Sequence, residues 1–222
     1  MKVSTDACLL GAVADAQGAA RVLDVGTGTG LLALMLAQRF AETAITALEI
    51  DPAAAAQAAA NVQSSPWASR IEVRPQSLAA YAATAPAPFG HIVCNPPFFR
   101  EALPAPEAAR RRARHAGATS LTFEALAQFA TDFLLPAGAL TVLLPPPEMM
   151  GFEQVAQALG LHPQHRLRVQ HRPGGRVTRH IVRFGRGEAA VPEAQELCIR
   201  TARDDDYSAE FRGLLAGFYL AL

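Results

Sequence analysis

Two short runs in this chain carry residue types that can do chemistry together. Asn95-Pro96-Pro97-Phe98 closes a strongly apolar strand, His91-Ile92-Val93-Cys94. Well upstream stands the glycine-rich run Asp24-Val25-Gly26-Thr27-Gly28-Thr29-Gly30. An exocyclic amine of a nucleobase is a poor nucleophile, because its lone pair is delocalised into the ring. Two rigid acceptors change that: the Asn95 side-chain carbonyl and the Pro96 backbone carbonyl can each take a hydrogen bond from the amine. Such bonds strengthen as the nitrogen becomes positive, so they stabilise the transition state more than the ground state. Pro96 and Pro97 stiffen the turn and remove competing N–H donors. Phe98 offers an aromatic plate on which an extruded base can stack. Alone, the tetrapeptide also fits a turn with a core phenylalanine, and the glycine loop favours the chemical reading.

Glycines at 26, 28 and 30 follow a strand and open a helix, so the loop can turn sharply and let a ligand approach the backbone. A dinucleotide fingerprint needs a glycine at 31, where Leu31 stands. The G-x-G-x-G spacing suits a nucleoside cofactor without a pyrophosphate, S-adenosylmethionine. Asp24 can meet its ammonium group. Glu49, 23 residues beyond Gly26, can accept both ribose hydroxyls, with Ile50 beside it at the same site. Asp51 is assigned to capping the next helix. Gln76 and Ser77 stand where they can touch the adenine, and Asn95 is expected to border the cofactor as well as the base.

These residues need a scaffold, and the first half alternates strand and helix signals as a parallel α/β sheet does. Strands are expected at Arg21–Val25, Thr43–Ile50, Ile71–Arg74, His91–Cys94 and Ala139–Leu144. Helices are expected over Leu31–Phe40, from Pro52 to about Val62, over Thr122–Leu135 and over Glu148–Leu159. Asp51 and Pro52 make a good N-cap and first turn. Arg166–Gln170 and Val177–Phe184 alternate around Pro173-Gly174-Gly175, a hairpin pattern, so the sheet should end antiparallel. Glu196–Thr201 is a further strand candidate, and Ser208–Leu220 a closing helix or irregular tail. One domain spanning 1–222 accounts for the pattern.

The chain has 222 residues, 50% of them hydrophobic, and zero formal net charge. The charge is unevenly placed. His162 to Arg186 holds seven arginines, four histidines and no acid; Glu188 to Leu222 holds seven acids and three arginines. The segment from Phe99 to Thr119 adds Arg100, Arg110, Arg111, Arg112, Arg114 and His115 directly after the Asn95 turn. A polyanion gripped there would present its base to Asn95, and the hairpin, through Arg176 and Arg179, would extend that surface. Solvated strand faces and helices also carry such charge. Cys8, Cys94 and Cys198 have no CxxC spacing and suit reduced thiols, with Cys94 a small core residue. Neither they nor the six histidines form a metal set, and no signal peptide or membrane-length apolar run is present. A soluble cytoplasmic protein without membrane or metal partners is expected.

Asn95-Pro96-Pro97-Phe98 is similar to motif IV of amino methyltransferases that act on nucleic acids. The opening run Lys2-Val3-Ser4-Thr5-Asp6-Ala7-Cys8-Leu9-Leu10-Gly11-Ala12 resembles the start of the bacterial valine-tRNA adenine-N6 methyltransferases. Asp24 through Gly30, Ala47-Leu48-Glu49-Ile50-Asp51, Asn95 through Phe99, Ala113-Arg114-His115 and Leu121-Thr122-Phe123 fit the same family. The resemblance implies a Rossmann-like class I methyltransferase fold: a mainly parallel seven-stranded sheet, an antiparallel C-terminal hairpin and helices on both faces. It implies methyl transfer to N6 of adenosine 37, beside the anticodon of a valine tRNA. It further implies that Lys2 and Thr5 help hold the cofactor's methionine end. Two departures stand out: family members usually carry a short segment upstream of Met-Lys-Val, and related enzymes often have Asp where Ser77 stands. The residues alone also admit ribosomal RNA guanine-N2, DNA adenine-N6 or release-factor glutamine as acceptors, or a non-catalytic RNA-binding homologue. Phe98 disfavours the glutamine enzymes, which favour Tyr there, and the guanine enzymes commonly carry a duplicated domain.

Overall fold

A computed structural model describes residues 4–96, 121–187, 192–203 and 206–219. Helix and strand alternate through the first part: α1 (Thr5–Val13), β1 (Arg21–Val25), α2 (Leu31–Arg39), β2 (Ala44–Leu48), α3 (Pro52–Gln63), β3 (Ile71–Arg74), α4 (Leu78–Ala82) and β4 (Phe89–Cys94). There follow α5 (Phe123–Phe133), β5 (Leu134–Leu144), α6 (Pro146–Ala158), β6 (His162–Gln170), β7 (Val177–Gly185), β8 (Glu193–Cys198) and α7 (Ala209–Leu215). The strands form one sheet in the order β3-β2-β1-β4-β5-β7-β6-β8. β1 to β5 pair in parallel, β7 is antiparallel to both neighbours, and β8 lies parallel to β6.

The sheet has eight strands, matching the seven strands and one strand candidate read from the residues, where the family resemblance implies seven. The extra one, β8, begins three residues upstream of the Glu196 expected for it. Its first four residues are exposed, so it lacks the apolar alternation that marks a half-buried strand. α5 ends at Phe133 and β5 starts at once, earlier than the expected Ala139, and runs through Pro136 and Gly138. Pro136 is tolerated because Leu135 to Ala137 are exposed and the β4–β5 register shifts there. Gly138 is crowded by backbone: a Cβ would sit 3.0 Å from the Leu135 and Phe89 carbonyl oxygens, so any side chain would make the strands give locally.

Each face of the sheet carries its own core. Val22, Ile45, Val93, Leu143 and Ile181 pack under α1, α2 and α7. Leu23, Leu48, Ile92, Leu140 and Val182 pack under α4, α5 and α6. α1 is apolar on nearly every side because it lies between α2 and the sheet. It sits close to α2 because of Gly11, where an added Cβ would come within 2.6 Å of Met35 Sδ. Asp51 caps α3 by accepting from the Ala54 N–H at 2.7 Å, as its sequence position suggests.

The fold creates one reversal that matters. β1 is flanked by β2 on one side and β4 on the other, so the strand order reverses at β1, the switch point at whose carboxyl ends an open α/β sheet has its ligand crevice. Both chemical runs lie at that end.

Candidate active site

β1 delivers Asp24 to the crevice in a completely buried position. One carboxylate oxygen accepts from Thr27 Oγ1 at 2.5 Å, and the other has no partner among the described residues. Burial pushes its pKa up to about 7; the Thr27 hydroxyl pulls in the opposite direction. A buried carboxyl with one oxygen that no described residue meets suits a cationic ligand group.

The loop after Asp24 is held from below. Gly26 and Thr27 both donate their N–H to the Leu48 carbonyl at 2.9 Å. Gly26, Gly28 and Gly30 have φ of 73°, 60° and 84°, the left-handed region that a side chain would strain. At Gly26 an added Cβ would meet nothing within 4 Å, so this part of the loop faces open space.

Glu49, just past β2, is buried with both oxygens fixed. Oε2 accepts from the Gly28 N–H at 2.8 Å and Oε1 from the Asp51 N–H at 2.9 Å. Each oxygen keeps a second lone pair, and two acceptors side by side match a vicinal diol. Next to it Ile50 is 44% exposed, an apolar surface at the lip of the crevice. Beyond β3, Gln76 Nε2 is buried without a partner among the described residues. Ser77 uses its hydroxyl to cap α4, accepting from the Ala80 N–H at 3.1 Å. Of these two neighbours, Gln76 therefore holds the open donor.

On the other side of β1, Val25 pairs with Cys94, so Asn95 emerges beside Gly26. Asn95 is half-buried and Pro96 buried. Cys94 is fully buried, which pushes its thiol well above the usual range and suits packing rather than nucleophilic work. Pro97, Phe98, Arg100, Arg110, Arg111, Arg112, Arg114 and His115 lie outside the described residues, as does Lys2.

Thr5 is exposed in the first turn of α1, whose N-cap Ser4 accepts from the Ala7 N–H at 3.2 Å. Arg176 is exposed at the tip of the β6–β7 hairpin. Arg179 has other commitments: its Nε donates to Asp6 Oδ2 at 2.8 Å and its Nη1 to the Thr178 carbonyl at 2.7 Å. Asp6 and Thr27 escaped the sequence reading. For Thr27 a signal existed, since a hydroxyl three residues after a strand-terminal Asp can reach back to it. No group of His, Cys, Asp and Glu among the described residues could hold a metal, and no helix among them is long and apolar enough to cross a membrane.

The methyltransferase small-domain family model matches residues 4–143. A tRNA1(Val) (adenine(37)-N6)-methyltransferase of Bacteroides thetaiotaomicron is 44% identical over all of this chain and 92% of its own. A protein of that same name from Serratia proteamaculans is 42% identical over 99% of this chain and 84% of its own. Among solved structures, a predicted O-methyltransferase from Agrobacterium tumefaciens superposes with a TM-score of 0.71 at 22% identity, covering 96% of each chain. A putative RNA methyltransferase from Pyrococcus horikoshii gives 0.57 at 17% identity, covering 82% of each. Those two likenesses establish the class I methyltransferase fold. The chain belongs to the methyltransferase small-domain family and, within it, to the tRNA1(Val) (adenine(37)-N6)-methyltransferases.

Proposed function

We propose that this protein transfers a methyl group from S-adenosylmethionine to N6 of adenosine 37 in a valine tRNA, the reaction its relatives are named for. The observation that carries this reading is the register of β1 and β4, which sets Asn95 beside the glycine loop. The crevice fits the cofactor on its own terms. Asp24 has a vacant buried oxygen for an ammonium group, Glu49 two fixed acceptors for ribose hydroxyls, and Gln76 a vacant buried donor for an adenine ring. Ile50 lies where it can pack against that ring, and Thr5 and Lys2 are assigned to the methionine end.

When bound, S-adenosylmethionine supplies a methyl group on a sulfonium centre. Every other task falls to the chain. The Asn95 carbonyl and the Pro96 carbonyl accept from the two amine hydrogens, draw the nitrogen out of conjugation and point its lone pair along the line of transfer. Pro97 holds the turn rigid and Phe98 stacks on the base. The methylated nitrogen loses a proton to solvent, so a strong protein base is unnecessary. Arg100, Arg110, Arg111, Arg112, Arg114, His115 and Arg176 grip phosphates and make binding salt-dependent without reading sequence.

The test is transfer of radiolabelled methyl groups into total tRNA lacking its modifications, followed by digestion to nucleosides. Label in N6-methyladenosine from the valine isoacceptor supports the reading. Label in N2-methylguanosine, or in protein glutamine when release factor is offered, would replace it.

A further inference from the structure

Asp6 and Arg179 are 173 residues apart in the chain, yet their side chains meet at 2.8 Å. The pair is partly buried, with 23% of the Asp6 and 28% of the Arg179 side chain exposed. It is therefore screened less than a surface pair and holds its geometry better. Its position is what matters. β7 runs antiparallel, and its His180 pairs with Leu144, the last residue of β5. Arg179 therefore stands just beyond the end of β5, at the edge where β1 and β4 also finish. α1 runs from that edge towards the start of β1, so its first turn reaches the same place.

Strand order divides that edge into two sides. Asp24, Glu49 and Gln76 follow the ends of β1, β2 and β3, and Asn95 follows β4. β7 lies on the far side of Asn95 from Asp24, Glu49 and Gln76, two strand spacings from β4, or roughly 10 Å. A base whose amine faces Asn95 has the cofactor on one side of it and the Asp6–Arg179 pair on the other.

We propose that the Asp6–Arg179 ion pair is a latch that fixes the amino end of α1 on β7 and thereby shapes the acceptor side of the cleft. Both are positioning residues: they govern how the RNA is seated and act on the cofactor only through Thr5, which shares the first turn of α1 with Asp6. The proposal rests on the methyl-transfer reading above. It also places Arg179 in a different role from the phosphate contact that its charge alone suggests.

The experiment is a double-mutant cycle of Asp6→Asn and Arg179→Gln, with Asp6→Glu as the charge-retaining variant. Three quantities are read: S-adenosylhomocysteine affinity by calorimetry, kcat/KM for unmodified tRNA, and hydrogen exchange of the α1 amides. Asp6 also favours the α1 amino terminus as a first-turn acid, and the cycle separates that effect from the pairing. Each single variant should lose roughly tenfold in kcat/KM for tRNA, and the double variant no more than the worse single. S-adenosylhomocysteine affinity should fall by no more than about threefold, the part that passes through Thr5, well short of the loss in turnover; the Cys8 to Leu10 amides should exchange faster, and Asp6→Glu should recover most of the lost turnover. Additive losses, unchanged turnover, or a parallel loss of S-adenosylhomocysteine affinity would overturn the latch. Should the unaltered protein bind S-adenosylhomocysteine yet methylate no tRNA, the substrate reading fails by itself. The latch then stands or falls on exchange: faster α1 exchange with intact binding sustains it, and unchanged exchange overturns it.

Discussion

Gly28 donates its backbone N–H to Glu49 Oε2 at 2.8 Å, so the loop after β1 and the end of β2 are joined through one carboxylate. Asp51 completes the arrangement by donating to Oε1. The carboxylate is thus oriented before any ligand arrives, and its remaining lone pairs point where backbone donors do not.

Glu49→Gln is expected to damage this joint more than a neutral surface change would. One oxygen becomes an amide NH2, which faces either the Gly28 or the Asp51 N–H, donor against donor. A buried donor left unsatisfied costs about 1–3 kcal/mol. S-adenosylhomocysteine affinity should fall by about 10- to 100-fold in calorimetry, and the unfolding midpoint should drop with the lost backbone contact. Unaltered affinity would remove Glu49 from the cofactor site.

Asp24 makes cofactor binding and stability respond oppositely to pH. Its pKa of about 7 in the folded chain lies above the usual 3.8. The folded state therefore holds a proton that the unfolded state has released, and stability falls as pH rises from about 4 to 7. An ammonium ligand prefers the ionised carboxyl, so affinity for S-adenosylhomocysteine should rise as pH rises through 7. Asp24→Asn should flatten both slopes. Parallel slopes in the variant and the unaltered protein would show that another group titrates.

Gly11→Ala tests the seat of α1. Its new methyl would have to share space with Met35 Sδ, 2.6 Å away. Overpacking of this kind costs about 1–3 kcal/mol, although alanine is the better helix former. Denaturant unfolding should show a lower midpoint, and a gain in stability would mean that Met35 moves aside freely.

Arg176→Ala should weaken RNA binding modestly and reduce the slope of log affinity against log salt by about one, as expected for one lost phosphate contact. Filter binding at several salt concentrations reads this directly. An unchanged slope would assign the hairpin tip to solvent.

Much of this was legible in the sequence because it is local. The G-x-G-x-G loop, the Asp51-Pro52 helix start and the hairpin around Pro173-Gly174-Gly175 each depend on a few adjacent residues, and each stands where expected. α1 was not read as a helix because burial on nearly all sides leaves it without a polar face, hence without a helical period. Only the amino end of β8, Glu193 to Gln195, escapes the strand candidate at Glu196: those residues are exposed at the sheet edge and show no apolar alternation. The Asp6–Arg179 pair is invisible for a different reason: partners this far apart are set by tertiary packing, and an arginine in a basic stretch looks like a phosphate ligand until its carboxylate is seen. Ser77 is similar, since only the start of α4 shows that its hydroxyl is already in use.

The central claim is that Asn95 acts chiefly on the acceptor amine and adds little to the hold on the cofactor it borders. Single-turnover methyl transfer by Asn95→Ala, measured beside S-adenosylhomocysteine binding on the same preparation, tests it most directly. The account predicts a fall in transfer of about a hundred- to a thousandfold, the size of losing a transition-state hydrogen bond, with affinity within about threefold of the unaltered protein. Transfer within tenfold of normal, or affinity and transfer lost together, would contradict it.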